Sequence, residues 1–386
     1  MAAVPTTPEE LLARLVGFDT TSAKSNLALI DFVRAYLRGH GVDSELIPNE
    51  DATKANLYAT VGPREPGGIA LSGHTDVVPA DAQAWQTDPF TLSARDGRLH
   101  GRGSADMKGF LACVLSLVPE MVAARLATPI HLAFSYDEEI GCGGVRPMLE
   151  AMGAGLPKPR LAIVGEPTMM QVVNAHKSIQ EFVTEVTGFE AHSSMTHLGA
   201  NAIFATAEII GEIARIRDEL IVAGDPSGRF TPPHSSIEVG CISGGTAINI
   251  VPRHCRLHWE MRGLPGVDPA AVLERVERFG RETVLPKLRA VSKETDIGTR
   301  LGVNVPALAP GTDEPAEKLA LRLTDRNDTL AVSYGTEAGL FRRAGIPTVV
   351  CGPGDIAVAH RPDEYIEKDQ LAACTRFLRR LIETAR

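Results

Sequence analysis

Several short apolar runs in the sequence are followed at once by polar side chains that could do chemistry. In an open α/β sheet, ligands gather where the strands end, so these side chains are the first candidates for a site. Imidazole nitrogens and carboxylate oxygens bind divalent metals, and carboxylates also act as general bases. The candidates of this kind are His74, Asp76, Asp106, Glu138, Glu139, Glu166 and His360.

His74 and Asp76 follow the apolar run at residues 68–72. The period of two in a strand puts both side chains on the same side. This is the spacing of a metal-binding imidazole and a carboxylate that orients it. Taken alone, these two residues are better interpreted as a structural or surface pair, since the spacing by itself is a weak signal.

Asp106 lies in a glycine-rich turn, residues 101–109, directly ahead of an apolar helix. Its carboxylate could cap that helix or bridge two cations, and the glycines allow close backbone approach to a ligand. The turn matches neither common phosphate-binding pattern. Glu138 and Glu139 follow the strand at 129–135, where a solvated acidic cluster is the alternative interpretation.

Glu166 ends another strand and His360 lies in a late loop, where a histidine without a ligand role is equally common. Taken together, two histidines, one aspartate and two glutamates at strand ends form a nitrogen and oxygen ligand set. Such a set suits zinc, cobalt or manganese, and a bridging carboxylate suits two metals about 3.5 to 4 Å apart.

Apolar runs alternate with helical patterns over most of the chain, which predicts an α/β fold with a mixed, largely parallel sheet. Thr7, Pro8 and Glu10 form a capping-box pattern at the start of the first helix. Between residues 178 and 295 the order changes to β-α-β-β-α-β, which predicts an inserted ferredoxin-like α+β domain. We therefore expect a catalytic domain formed by residues 1–177 and 296–386, with residues 178–295 inserted.

The strongest strand pattern of the insert is at 254–262, where polar and apolar residues alternate. A helix at 200–215 would place Ile203, Ala207, Ile210 and Ala214 on one face, and the last strand of the insert is predicted near 289–293.

The 386 residues carry 48 acidic and 39 basic side chains, a formal charge of -9, which disfavours a nucleic-acid partner. The apolar run at 110–118 is too short for a membrane span, so no membrane partner is expected. Residues 1–5 lack the pattern of a secretory signal, and six widely spaced cysteines suit reduced core thiols. These features predict a cytoplasmic protein.

The chain resembles the co-catalytic dizinc amidohydrolases of the aminoacylase or peptidase M20 family over essentially its whole length. The matching segments, in the family's order and spacing, are residues 72–76, 101–109, 137–139, 165–167, 188–194 and His360. The resemblance implies a zinc-peptidase-like catalytic domain with an inserted lid or dimerisation domain. It also implies a homodimer formed through the insert.

The resemblance further implies two divalent metal ions, with Zn²⁺ favoured and Co²⁺ as the alternative. One metal would be held by His74 and Glu166, the other by Glu139 and His360, with Asp106 bridging both. Asp76 would orient His74, Glu138 would be the general base, and a cis peptide often follows the bridging aspartate. His192 would donate to the oxyanion, from the same or the partner subunit.

For the substrate, the resemblance implies an N-acyl amino acid whose carboxylate is bound by Arg262, with Asn249 beside it. A surface ion pair is the other interpretation of Arg262. The segment at 333–339, with Thr336 and Glu337, resembles members that hydrolyse N2-acetyl-L-ornithine to ornithine and acetate in arginine biosynthesis. Succinyl-diaminopimelate, other N-acyl amino acids or dipeptides, and a non-catalytic metal-binding interaction module are the alternatives.

Overall fold

The computed structural model describes residues 5–312 and 314–386. Residues 1–4, most of the segment that was predicted to lack a secretory signal, lie outside the described residues. The described chain divides into two compact units. Unit 1 contains the residues up to Ala175 together with Pro310–Leu330 and Thr336–Arg386. Unit 2 contains His176–Ala309 and Ala331–Gly335.

Helices and strands alternate along most of the described chain. The helices are α1 (Pro8–Val16), α2 (Leu27–Gly39), α3 (Gly109–Ser116), α4 (Val118–Ala123), α5 (Val145–Ala151), α6 (Ala202–Ala223), α7 (Pro269–Phe279), α8 (Leu285–Arg289), α9 (Pro315–Thr324), α10 (Ala338–Arg343) and α11 (Lys368–Thr384). The strands are β1 (Ser44–Pro48), β2 (Ala55–Val61), β3 (Ile69–His74), β4 (Ser93–Arg95), β5 (Arg98–His100), β6 (Ile130–Ser135), β7 (Leu161–Pro167), β8 (Val173–His176), β9 (Ile179–Thr187), β10 (Ser236–Gly244), β11 (His254–Arg262), β12 (Asp296–Val305), β13 (Leu330–Val332), β14 (Thr348–Gly352) and β15 (Tyr365–Glu367).

The main sheet of unit 1 has the strand order β1-β2-β6-β3-β7-β14-β8-β13. Its four central strands, β6, β3, β7 and β14, run parallel, whereas β1, β2 and β8 pair antiparallel at the flanks. The prediction of a mixed α/β sheet with a parallel core is confirmed. Because β3, β6 and β7 are buried throughout, both of their faces are covered, as parallel strands require.

Helix α1 begins as its sequence predicts. The Thr7 side chain accepts from the Glu10 backbone amide, the Glu10 carboxylate accepts from Thr7, and Pro8 opens the helix. Four backbone amides at a helix start lack partners, so this capping box stabilises the end that would otherwise fray. The closing helix α11 buries Leu371, Cys374, Leu378 and Leu381 as one stripe.

The sheet of unit 2 is antiparallel, with the order β10-β11-β9-β12. In chain order this is the ferredoxin-like arrangement β-α-β-β-α-β, which confirms the predicted fold of the insert. Strand β11 has the predicted bounds and alternates between exposed and buried residues. Its buried side packs with α6 and α7 around Trp259, Leu257 and Phe182.

Three predictions for the insert are wrong in detail. Its last strand is β12, not residues 289–293, which belong to the end of α8 and a turn, so unit 2 extends beyond residue 295 to Ala309. The buried face of α6 carries Ala205, Ile209 and Ile213, whereas Ala207 is exposed. Helix α6 has apolar residues on several faces, so its periodicity did not identify the covered one.

All six cysteines are free thiols, and five are buried as predicted, whereas Cys241 is exposed on β10. Along the described part of the chain, no helix combines the length and the apolar character that a membrane crossing needs.

We expect Trp259→Ala to destabilise unit 2, because the indole stacks on Phe182 with ring centroids 4.0 Å apart and donates to Thr184 Oγ1. The free energy of unfolding should fall by about 3 to 5 kcal/mol, as for other buried aromatic truncations. Urea denaturation followed by circular dichroism measures this. The control is Arg256→Ala on the exposed face of the same strand, and equal midpoints for both variants would contradict the predicted core.

Candidate active site

The first candidate ligands are positioned by the parallel strands of unit 1. His74 is the last residue of β3 and pairs in register with Ser135 at the end of β6. Glu166 lies near the end of β7, which runs parallel to β3 on its other side. Parallel strands end at the same edge of a sheet, so His74, Glu166 and the turn that follows Ser135 meet there.

Asp106 reaches this edge because the turn before α3 packs directly against the sheet. A Cβ atom on Gly73 would lie 2.6 Å from the Met107 side chain, and one on Gly165 would lie 2.1 Å from the Phe110 ring. Larger residues at these two positions would push the turn away from β3 and β7. The Asp106–Met107 peptide is cis, as the family resemblance implied.

The two carboxylate oxygens of Asp106 face different histidines. His74 Nε2 lies 3.0 Å from Asp106 Oδ1 and 3.7 Å from Glu166 Oε1. His360 Nε2 lies 3.4 Å from Asp106 Oδ2 and 3.1 Å from Glu139 Oε2. The five residues expected to be metal ligands are thus brought to one place, with Asp106 between two groups.

His74 has its ring orientation fixed by a backbone group. Its Nδ1 lies 2.9 Å from the Asp76 carbonyl oxygen, and a carbonyl can only accept, so Nδ1 carries the proton. Nε2 is therefore the atom free to bind a cation. The Asp76 carboxylate, expected to orient the ring, is farther away at 3.6 Å.

The Asp76 carboxylate instead holds the turn that carries Glu138 and Glu139. It accepts from the backbone amides of these residues at 3.1 and 3.3 Å and from Ser22 Oγ at 2.7 Å. Glu138 Oε1 in turn accepts from the Cys142 thiol at 3.2 Å. Ser22 and Cys142 were not singled out in the sequence, because a single small polar residue forms no pattern that indicates a contact with a particular carboxylate.

Burial brings these acids together at a high electrostatic cost. Burial, with the neighbouring Asp106 carboxylate, raises the pKa of Glu139 and Glu166, and the pKa of Glu138 is raised well above its ordinary range. Burial alone would lower the pKa of His74, but the carboxylates of Glu166, Asp106 and Asp76 outweigh it and raise that pKa. The site therefore concentrates negative charge that calls for compensating cations.

The donor set fits divalent metals. Glu166 Oε1 is buried and makes no hydrogen bond in the described structure. Two groups offer ligand atoms that all lie within 4.8 Å of one another, namely His74 with Asp106 and Glu139, and His74 with Glu138 and Glu166. A buried carboxylate oxygen without a donor, next to an imidazole whose Nε2 faces carboxylate oxygens, suits a cation better than a further hydrogen bond.

Glu337 and Thr336, expected to contact substrate, are both buried in unit 1, each with an exposed fraction of 1%. Glu337 Oε2 accepts from Ser72 Oγ at 3.4 Å, and burial raises the pKa of Glu337 to about 7. Thr336 Oγ1 accepts from the Ala338 amide at 3.1 Å, at the start of α10. In this structure both side chains are buried inside unit 1 and do not face solvent.

The other expected residues, His192, Asn249 and Arg262, belong to unit 2. His192 and Asn249 lie next to each other, because Ser193 donates its amide to the Asn249 carbonyl at 3.0 Å. Both side chains are exposed. Arg262 pairs with Glu260 at 3.0 Å and is partly exposed, which is the surface pair that the sequence left open.

The fold of unit 1 and its clustered carboxylates and histidines are those of a hydrolase with metal-binding groups at a sheet edge. Residues 70–384 match the peptidase family M20/M25/M40, and the chain belongs to this family.

The chain is also similar to curated proteins over nearly its whole length. It is 36% identical to the acetylornithine deacetylase of Myxococcus xanthus over 376 residues, covering 96% of this chain and 95% of that protein. It is 34% identical to the acetylornithine deacetylase of Proteus mirabilis, covering 95% and 92% of the two chains.

Solved structures share the fold. The aminopeptidase PepT of Bacillus cereus matches with a TM-score of 0.73 at 18% identity, covering 99% of this chain and 100% of that one. An M20 metallo-carboxypeptidase of Sulfolobus solfataricus matches with a TM-score of 0.74 at 18% identity, covering 96% and 97%. At these identities the likeness establishes the fold of the chain.

In the presence of a chelator, we expect Glu337 and His360 each to lower the melting temperature as the pH rises. Burial lowers the pKa of Lys108 to about 7 and that of His176 to about 4, so these two groups act in the opposite direction. The pKa of Glu337 is about 7 against an ordinary 4.5, so its protonated form favours folding and that stability is lost between these values. Hydrogen bonds to Asp106 and Glu139 raise the pKa of His360 from 6.5 to about 10. The protonated imidazole therefore stabilises the fold fully below pH 6.5, and this stability is lost as the pH rises through 10.

Scanning calorimetry at pH values from about 4 to 10 tests this, since both groups shift stability in the same direction. Glu337→Gln should remove the contribution of Glu337 between pH 4.5 and 7 and leave the slope above pH 7 unchanged. The same slope below pH 7 in wild type and in Glu337→Gln would contradict the assignment.

Proposed function

We propose that this chain hydrolyses the amide bond of N2-acetyl-L-ornithine, releasing ornithine for arginine biosynthesis, with two divalent metal ions bound in unit 1. The observation that carries the substrate is the similarity, at 33 to 36% identity over nearly the full chain, to acetylornithine deacetylases. The observation that supports the metals is the position of Asp106 between His74 and His360.

In this proposal His74 and Glu166 hold one cation, Glu139 and His360 hold the other, and Asp106 bridges them. Zn²⁺ suits the mixed imidazole and carboxylate donors, and Co²⁺ is the alternative. When bound, such ions supply Lewis acidity and lower the pKa of water toward neutrality. The fold matches that of YxeP of Bacillus subtilis, a dinuclear metal-binding peptidase of the M20 family, with a TM-score of 0.66. This match supports the proposal of two metals.

Glu138 would accept the proton of the attacking water and pass it to the leaving amine. Its carboxylate is well placed for this role, because Asp76 holds its backbone amide and Cys142 donates to one oxygen. A raised pKa suits a group that must both accept and release a proton near neutral pH. His192 would donate to the oxyanion, and Arg262 with Asn249 would bind the substrate carboxylate.

Succinyl-diaminopimelate is a less favoured substrate, since it carries extra carboxylates that need cations to bind them. One cation at the start of unit 2 is Lys177, and its side chain has an exposed fraction of only 1%. Its ammonium donates to the carbonyls of Pro232 and His234 at 2.9 and 2.7 Å. This cation stabilises the loop of its own unit, so it does not offer a site to a second carboxylate.

We expect metal-loaded protein to release acetate from N2-acetyl-L-ornithine with a higher kcat/KM than for N-acetylmethionine or succinyl-diaminopimelate. Glu138→Gln should lower kcat by about 10² to 10⁴-fold, the range of general-base catalysis. Metal content measured by mass spectrometry should stay at the wild-type level. Glu120→Gln, an exposed acid on α4, is the matched control.

If wild type binds two metals and hydrolyses none of these amides, the proposed reaction is wrong. A non-catalytic interaction module would then be favoured. If N-acetylmethionine is the best substrate, the enzyme is a broader N-acyl amino acid hydrolase.

We also propose that the protein is a cytoplasmic homodimer formed through unit 2. Strand β10 is an edge strand of its sheet, and its second half exposes Ile242 and Cys241 with no charged side chain. Uncharged apolar edges of this kind are usually covered by another strand or subunit. The six free thiols are typical of a reducing compartment, which supports the cytoplasm.

We expect light scattering on a sizing column to give twice the chain mass of 41.3 kDa for wild type. Ile242→Lys should give the monomer mass, because a buried lysine at the interface has no partner. Leu301→Lys, at the opposite edge of the same sheet, is the control and should leave the dimer intact. A dimer that persists in Ile242→Lys would contradict this interface.

A further inference from the structure

A buried ion pair links the two loops that carry Asp106 and His360. Arg102 Nη1 donates to Glu364 Oε2 at 2.7 Å, and each of the two side chains has an exposed fraction of 1%. Arg102 lies four residues before Asp106, and Glu364 lies four residues after His360. The pair therefore joins two parts of the candidate site that are far apart in sequence.

The Glu364 carboxylate holds the backbone of the Asp106 turn. Its Oε2 accepts from the Gly103 amide at 3.1 Å, and its Oε1 accepts from the amides of Ala105 and Asp106 at 3.0 and 3.2 Å. The backbone of Asp106 is thus hydrogen-bonded to a side chain from the other loop. A shift of Glu364 would shift the carboxylate that lies between the two histidines.

Arg102 holds the other loop. Its Nη1 lies 3.4 Å from the Arg361 carbonyl, and its Nη2 donates to Gln83 Oε1 at 2.5 Å. Gln83 Nε2 then donates to the His360 carbonyl at 3.0 Å. His360 has a left-handed backbone φ of 62°, which is costly for a residue with a side chain and needs such support.

Buried ion pairs contribute little net stability compared with well-packed apolar residues, because both charges must be desolvated. The carboxylate of Glu364 nevertheless accepts four hydrogen bonds from the Asp106 turn, three of them from backbone amides, so its geometry is heavily specified. Neither residue touches the clustered donor atoms directly in the described contacts. Their arrangement is explained by a need to fix distances between the two loops.

We propose that Arg102 and Glu364 are positioning residues that fix Asp106 relative to His360 and thereby set the affinity for the cation held on the His360 side. This inference rests on the metal site of the proposed function. It adds residues outside the ligand set and outside the substrate contacts, and it can be tested without any substrate.

The test is metal binding by chelator competition with Zn²⁺ on metal-free, folded protein. Glu364→Gln keeps one carbonyl oxygen but places an amide group against the donors of Arg102 and Gly103. We expect one of the two Zn²⁺ equivalents, the one held on the His360 side, to bind more weakly. Its dissociation constant should rise about 10- to 100-fold, as when other groups that orient metal ligands are removed. The visible spectrum of the Co²⁺-loaded variant should also change.

The matched control is Glu367→Gln. Glu367 pairs with Arg98 at 3.4 Å between the same two chain segments, but this pair is exposed. Glu367→Gln should leave the dissociation constants of both Zn²⁺ equivalents unchanged. Circular dichroism of the metal-free variants checks that each is folded.

Gln83→Ala is a second variant for the case that Glu364→Gln does not fold. It removes the link from Arg102 to the His360 carbonyl, together with the hydrogen bond that Trp85 Nε1 donates to Gln83, and leaves the Arg102–Glu364 pair in place. The same equivalent should therefore bind more weakly, by a smaller factor. Unchanged binding in every folded variant of the pair would overturn the positioning role while leaving the proposed reaction intact. Wild type that binds fewer than two Zn²⁺ would overturn the metal site, and this inference with it.

Discussion

The central physical constraint on unit 1 is the burial of several carboxylates around two imidazoles at one edge of a parallel sheet. Asp106, Glu139 and Glu166 are nearly excluded from water, and among the described residues the basic side chains that pair with them are His74 and His360. Removing charges from water is costly unless they are paired. The surrounding fold must therefore hold these groups against their own repulsion, and a bound cation would convert that cost into binding free energy.

Much of the architecture of unit 1 follows from this requirement. The parallel strands β3, β6 and β7 bring three ligand-bearing segments to one line, and two glycines let the Asp106 turn approach the sheet. Backbone groups then complete the arrangement. The carbonyl of Asp76 selects the protonated nitrogen of His74, and its carboxylate holds the next turn by two amides.

The sequence predicted the parts of this structure in which local pattern and tertiary environment agree. Strand β11 has one covered face, so its alternation gave its bounds, and the ligand segments were found because each follows an apolar run. Strand β12 was missed because it lies at a sheet edge, contains two glycines and has only one fully buried residue, Val305. Such a strand is specified by its partner β9, which local sequence does not show.

Other features could not be predicted because they depend on contacts between distant residues. Charged residues such as Arg102 and Glu364 are usually exposed, so their burial is visible only once the loops are folded together. Glu337 was expected to face the substrate, but in the folded chain its side chain is buried next to Ser72 of β3. The covered face of α6 was predicted wrongly because the helix itself carries apolar side chains on several of its faces.

The order of the chain has a consequence for synthesis on the ribosome. Unit 2 is complete before β14 and α11 have been made, yet β14 is an inner strand of the main sheet and pairs with β7. Domains that are continuous in sequence can fold as they emerge. Unit 1 must instead wait for its C-terminal segment, because a chain that stops before β14 lacks an inner strand of its sheet and the His360 member of the charged cluster.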